Sequence, residues 1–410
     1  MHQAHLTSTP ITHRRTPHEH AGHFVRAQRR SGLARTLLGR VGAAGLLLCS
    51  TMLLASACAP QGPSKRAVAG QVPPSSAGSA GVLAAPARAS DTSERTGPAF
   101  TRQAWTLPSE DGQAADGWVL ASDNYRVFTT AGARIADRLP VFLESALQHY
   151  TSSLLPLPMP RAPMETYFLG TRGQWERVTQ RLMGNDAGIY LRIDRGGYSA
   201  RGRSVFYDIG PRDTFLIAAH ESWHQYTQST FEETLPLAIE EGIATYMEGY
   251  RWTGPDRTNA EFLPWRNFER FGQLRDAVAG QELLSLQDLL ITSPQDLLAR
   301  EGSQAALRYY AQVWAMIHFL VEGDGGVHKP ALVAMIRDAH EGKLSQRVSN
   351  DLGERAGRAV RLGRKGVDVL AVYTGKPSEE LDASYQQFMK DIVLTGASTK
   401  ISQGQSPVQR

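Results

Sequence analysis

Thiols are almost missing from this chain: its 410 residues hold two cysteines, Cys49 and Cys58, and none follows Cys58. For everything beyond residue 58 this excludes a catalytic cysteine, a structural disulfide and a metal held by sulfur. Charge of one sign is scarce too, although the pI of about 9.0 suggests otherwise. Seven arginines and one glutamate sit in the first 40 residues, and without them 44 basic and 40 acidic residues become 37 and 39, a net charge of about −2. The remainder has no lysine-rich run and no basic tail, so nucleic acid is not an expected partner. Long apolar stretches are also lacking. The extended one, the 18 residues Val41–Cys58 (VGAAGLLLCSTMLLASAC), is interrupted by Gly and Ser and is marginal in length for a spanning helix. No internal repeat occurs.

What is present begins with an address. A basic front, a short apolar middle and small residues at its end describe an export signal over residues 1–58. The last five of these residues, Leu54-Ala55-Ser56-Ala57-Cys58, resemble a bacterial lipobox, with Ala55 standing where Leu is usual. That resemblance implies cleavage before Cys58, lipidation of its thiol, and a membrane contact made through a lipid anchor rather than a helix. An ordinary A-x-A cleavage at the same bond would instead release a secreted or periplasmic protein. Either way an exported protein of the cell envelope is expected. Residues 59–103, rich in Ala, Gly, Pro and Ser, are expected to form a disordered tether. Residues 394–410 are expected to form a loose tail.

The intervening part, 104–393, changes pattern midway. GWVLASDNYRVFTT (117–130) alternates and is rich in branched and aromatic residues, which predicts strands. ARIADRLPVFLESALQHYTSSLL (133–155) has helical spacing, with Pro140 kinking or splitting it. METYFLG (164–170) reads as a strand and RGQWERVTQRLMG (172–184) as a helix capped by Thr171. GIYLRI (188–193) and RSVFYDIG (203–210) read as two more strands, with a turn at Gly196-Gly197. Beyond Pro211 almost everything is helical. The expectation is an α+β fold: a small mixed sheet with packed helices over 104–210, then a mostly helical lobe over 211–393.

The chemistry concentrates in IAAHESWHQYTQ, residues 217–228. Asp213 is a plausible N-cap for a helix that runs on without Gly or Pro. His220 and His224 then lie one turn apart on one face, about 6 Å along the axis, so both imidazoles can reach a single cation. Glu221 sits about 100° around the helix, placed to face a water on the metal rather than the metal itself. Phe215, Ala219, Trp223 and Tyr226 form the stripe that should enter the core. A zinc site needs a third ligand, and LPLAIEEGIATYMEGY (235–250) offers Glu240 and Glu241 on a second helix opened by Pro236.

This pair of segments resembles the gluzincin metallopeptidases, peptidase-MA-like enzymes whose metal helix is followed by a motif of the type W-L-x-E-G-x-A-x-Y. Leu237-Ala238 stands in place of Trp-Leu. The resemblance implies a thermolysin-like architecture and Zn2+ held by His220, His224 and Glu241. It also implies that Glu221 is the general base on a zinc-bound water. Gly242 is expected to permit close approach of the two helices around the metal. Glu248, two turns beyond Glu241, is a candidate acceptor for the free ring N–H of a ligand histidine, and Glu240 is a further candidate beside the ligands. RYYAQVWAMIHFL (308–320) resembles the gluzincin helix that carries a tyrosine, which puts Tyr310 at the oxyanion, with Tyr309 as the competing residue. The strand 203–210 stands where gluzincins place the edge strand that binds extended peptide. The G-x-M-E-N stretch of the aminopeptidase branch is missing.

The reaction implied is hydrolysis of a peptide or protein substrate in the envelope. The alternative is a non-catalytic zinc-binding lipoprotein that uses the same scaffold for binding or assembly. A serine hydrolase fits poorly, because in GYSARG (197–202) the second glycine comes one place too late for G-x-S-x-G. His149, His318, His328 and His340 lack metal spacing and read as surface or packed residues. The basic stretch 354–366 reads as a solvated helix face, and the segment 251–300 is a candidate cover for the site.

Overall fold

The computed structural model describes residues 100–108, 114–254, 258–363 and 366–408. The expected export signal with Cys58, and the expected tether as far as residue 99, lie outside the described residues. Eight strands are β1 (Thr101–Leu107), β2 (Ala115–Ala121), β3 (Tyr125–Thr129), β4 (Met164–Leu169), β5 (Gly197–Ala200), β6 (Arg203–Tyr207), β7 (Tyr250–Thr253) and β8 (Asn259–Phe262). The helices of the first half are α1 (Ala133–Ala136), α2 (Leu139–Tyr150), α3 (Arg172–Met183), α4 (Ala187–Tyr190), α5 (Pro211–Thr230) and α6 (Leu237–Tyr246). Then follow α7 (Phe268–Ala279), α8 (Leu286–Ile291), α9 (Pro294–Glu301), α10 (Ser303–Glu322) and α11 (Lys329–His340). The last are α12 (Leu344–Leu352), α13 (Glu354–Gly363), α14 (Val367–Thr374), α15 (Ser378–Ile392) and α16 (Ala397–Gln403).

Six strands form one mixed sheet in the order β1-β2-β3-β4-β6-β5. β1, β2 and β3 make an antiparallel meander, β3–β4 and β4–β6 pair in parallel, and β5 returns antiparallel on β6. Alternation assigns the two faces. Tyr125, Val127, Phe168 and Phe206 turn toward the main core shared with α2 and α5, whereas Leu169, Val205 and Tyr207 turn toward a smaller core with Trp175 of α3 and Tyr190 of α4. α3 starts on a capping box between Thr171 and Gln174. The expected helix over 133–155 is split, with Pro140 in the first turn of α2, where its missing N–H is not needed. From Pro211 on the chain is helical apart from the β7–β8 hairpin, which makes the fold α+β with a helical second half.

Several local expectations are corrected. Residues 188–193 are not a strand: 187–190 form a helical turn, because Ala187, Tyr190 and Ile193 are buried three apart while Ile189 is 50% exposed. The hairpin turn is therefore Arg201-Gly202, not Gly196-Gly197. Both turn residues take positive φ, 54° and 74°, as a tight two-residue hairpin turn requires. The edge strands of the sheet are β1 and β5, and β6 (203–207), expected at an edge, is an inner strand. Asp213 is not the cap of α5. The helix opens at Pro211, and Asp213 sits in its first turn, paired with Arg195 at 3.2 Å. The first strand, β1, starts at Thr101, inside the stretch expected to be tether. The expected loose tail contains α16, whose Ala397 and Ile401, four residues apart, form a small apolar stripe buried in the main core. The tail is fixed further by Arg266, whose guanidinium donates to the Ser402 carbonyl. Among the described residues no helix is long and apolar enough to cross a membrane.

Candidate metal centre

α5 is buried on nearly every side. Phe215, Ala219, Trp223 and Tyr226 enter the core as their spacing predicts, and His220, Glu221 and His224 are buried on another side of the same helix. α6 packs beside it and also against α10. Gly242 serves the α10 contact rather than the metal helix: a Cβ there would meet Ile317 Cγ1 at 2.8 Å and the Val313 carbonyl at 2.9 Å. The close approach inferred from this glycine is real, but its partner is α10.

His220, His224 and Glu241 converge. The two Nε2 atoms are 3.2 Å apart, and Glu241 Oε2 lies 3.3 Å from His220 Nε2 and 3.6 Å from His224 Nε2. A circle through three atoms so spaced has a radius of about 2 Å, the length of a bond from zinc to nitrogen or oxygen. The other ring nitrogens are committed elsewhere. His220 Nδ1 donates to Glu248 Oε1 at 2.8 Å, and His224 Nδ1 donates to Glu240 Oε1 at 3.0 Å. Glu240 Oε1 also accepts from Thr227 Oγ1 at 2.7 Å. With each proton on Nδ1, both Nε2 lone pairs point at the same place.

Glu241 is fully buried, and neither of its carboxylate oxygens accepts a hydrogen bond. A buried carboxylate without donors is costly unless a cation faces it. Burial alone would raise its pKa, but positive charge on the His224 and His220 rings, on the side where a cation would sit, holds it well below the usual carboxylate range. Glu221, Glu240, Glu241 and Glu248 are all at most 4% exposed, and Arg270 is the one buried arginine or lysine among the described residues. That excess of buried negative charge suits a divalent ion. His220, His224 and Glu241 thus form a buried group that can hold a metal ion.

Compared with known proteins, the chain matches no family model, and no curated protein matches it either.

The remaining expected residues fall around this group. Glu221 is 2% exposed, and its backbone carbonyl accepts from Ser199 Oγ of the edge strand at 2.6 Å and from Ser204 Oγ at 3.1 Å. β5 and β6 are thereby pinned to the helix at the residue that follows His220. Tyr310 lies beside the group, its ring centroid 6.1 Å from that of His220 and nearly perpendicular to it. Tyr309 packs against the Tyr310 ring, centroids 5.8 Å apart and nearly perpendicular. Glu248 and Glu240 each buttress one imidazole. The expectation named Glu248 for that role and left Glu240 without a stated partner.

Two residues escaped the sequence reading, Asn267 and Arg270. Asn267 caps α7 and also donates from Nδ2 to Glu248 Oε2 at 2.7 Å. Arg270 grips the same carboxylate through Nε and Nη2 at 3.1 and 2.9 Å. Burial would raise the Glu248 pKa, but Arg270 and His220 depress it to about 2. The signal available was an arginine on the same helical stripe as Leu274 and Ala277, which are buried with it. α7 belongs to the segment 251–300, so this part of the candidate cover is built into the site.

Proposed function

We propose that this chain is a zinc-dependent peptidase of the gluzincin type, with a thermolysin-like arrangement of metal helix and following glutamate helix. The observation that carries it is the convergence of two Nδ1-protonated imidazoles on a buried carboxylate that has no hydrogen-bond donor. Two nitrogens and one oxygen favour zinc over harder cations. A zinc ion held there supplies Lewis acidity, which polarises a carbonyl and acidifies water. Glu221 takes the proton from the attacking water and returns it to the leaving amine. Glu240 and Glu248 keep the two imidazoles in the tautomer that ligation requires. Tyr310 donates to the oxygen that becomes negative. The substrate is a peptide or protein met in the cell envelope, where lipidated Cys58 would hold the domain at a membrane surface.

Glu221→Gln is the deciding variant. It should keep its zinc by elemental analysis while cleavage of a casein-type substrate falls by at least about 100-fold. Full activity in that variant would remove Glu221 from the chemistry. The near-complete burial of His220, Glu221, His224 and Glu241 favours a second reading, a zinc-binding envelope lipoprotein without catalysis. Zinc-loaded wild type that cleaves no substrate, with or without chelator, would establish that reading instead.

A further inference from the structure

The metal chemistry leaves one buried charge unused, that of Arg270, the one buried arginine or lysine among the described residues. Arg270 is 3% exposed. Its Nε and Nη2 reach the two oxygens of Glu248, its Nη1 donates to Gln273 Oε1 at 3.1 Å, and its guanidinium carbon lies 5.2 Å from the centre of the Tyr310 ring. With Asn267 Nδ2 and His220 Nδ1 added, the Glu248 carboxylate receives four hydrogen bonds. Those bonds fill its acceptor sites and leave it a single orientation. In that orientation Oε1 faces His220 Nδ1, and Nε2 of the same ring faces His224 and Glu241.

We propose that Arg270, seconded by Asn267, is a positioning residue for the metal centre. It fixes Glu248, Glu248 fixes the tautomer and ring plane of His220, and the same guanidinium seats the Tyr310 ring against that imidazole. α7 therefore carries part of the site without touching the metal. Removing Arg270 takes two of the four hydrogen bonds from the Glu248 carboxylate, which is then free to turn, and His220 loses the fixed acceptor that keeps its proton on Nδ1. The proposal rests on the reading that His220, His224 and Glu241 hold a metal.

The test is a double-mutant cycle on the full chain, read as zinc affinity by competition with a chromophoric chelator and as the visible spectrum of the cobalt-loaded protein. Arg270→Met and Glu248→Gln should each weaken zinc binding by about 10- to 100-fold. The double variant should be no weaker than the worse single one, because both remove the same link. The cobalt bands should shift in all three. Leu274→Ala, on the same buried stripe of α7 but outside this hydrogen-bond network, should lower stability and leave both readouts unchanged. Should Arg270→Met fail to fold in chelator, Arg270→Lys takes its place: it keeps the charge, loses the two-pronged grip, and should still weaken zinc binding several-fold. Wild-type affinity in the Arg270 variant, or losses that simply add in the double variant, would overturn the role of Arg270. Wild type that takes up neither zinc nor cobalt would overturn the metal reading and this inference with it.

Discussion

Away from the metal group, a single histidine sets part of the response to acid. His149 stacks on Phe262, ring centres 5.4 Å apart, and its Nε2 is buried without a hydrogen-bond partner. Burial lowers its pKa from 6.5 to about 4. The unfolded chain therefore binds a proton below about pH 6.5 that the folded chain refuses until about pH 4. More protons on the unfolded side mean that stability falls as pH falls through this window, and the loss from this group levels off below it. The shift corresponds to at most about 3 kcal/mol. His149→Phe keeps an aromatic ring against Phe262 and removes the titration. Urea unfolding of the metal-free protein at pH 7.5 and pH 4.5 should show a smaller drop for the variant than for wild type, and equal drops would show that His149 does not carry the effect. Why some side chains were readable in advance and others not follows from where their partners lie. His220, Glu221 and His224 announce themselves because one helical turn of sequence is also one turn of space. Glu241 needed a motif, and Arg270 needed the tertiary structure, since its partner Glu248 is 22 positions away with a hairpin between them.

The secondary structure was readable where one local force acts alone. Thr171 and Gln174 write the start of α3, and Pro140 writes the break before α2. The reading failed where weak patterns compete. GIYLRI looks β-prone by composition, yet it is the three-residue spacing of Ala187, Tyr190 and Ile193 that is buried. The C-terminal segment failed for a related reason: Ala397 and Ile401 are too sparse among polar residues to signal a docked helix, and their burial comes from tertiary packing, part of it against α7. α16 therefore makes a prediction that a loose tail would not. Ile401 is fully buried in the main core. Ile401→Ala should cost about 2–4 kcal/mol, the usual range for truncating a buried aliphatic side chain. Urea unfolding midpoints measure it directly, and an unchanged midpoint would mean that α16 contributes nothing to the fold. A loosened α16 should also free Arg266, which precedes the cap of α7, from the Ser402 carbonyl.

The metal group ties the molecule together, because its side chains and their supports come from separate stretches of chain. α5 gives both imidazoles, α6 gives Glu241 and Glu240, the turn after α6 gives Glu248, α7 gives Arg270, and α10 brings Tyr310 alongside. An ion held at that junction binds the folded state alone, since the unfolded chain cannot gather these groups. Its stabilisation is then a matter of mass action: zinc at about 100 times its dissociation constant adds roughly 2.7 kcal/mol. In a domain of this size that raises the midpoint of thermal unfolding by several degrees, at about 2–4 °C per kcal/mol. Chelator should reverse the rise, and Glu241→Gln should abolish the response to zinc, because it removes the one carboxylate that faces both imidazoles. The shape of the transition carries further information. The main core runs without a break from the sheet through α5, α6 and α10 to α15 and α16, so zinc should move one cooperative transition as a whole, seen alike by far-UV and aromatic circular dichroism. Zinc that sharpens only one of two separable transitions would show that the sheet and the helical lobe unfold independently.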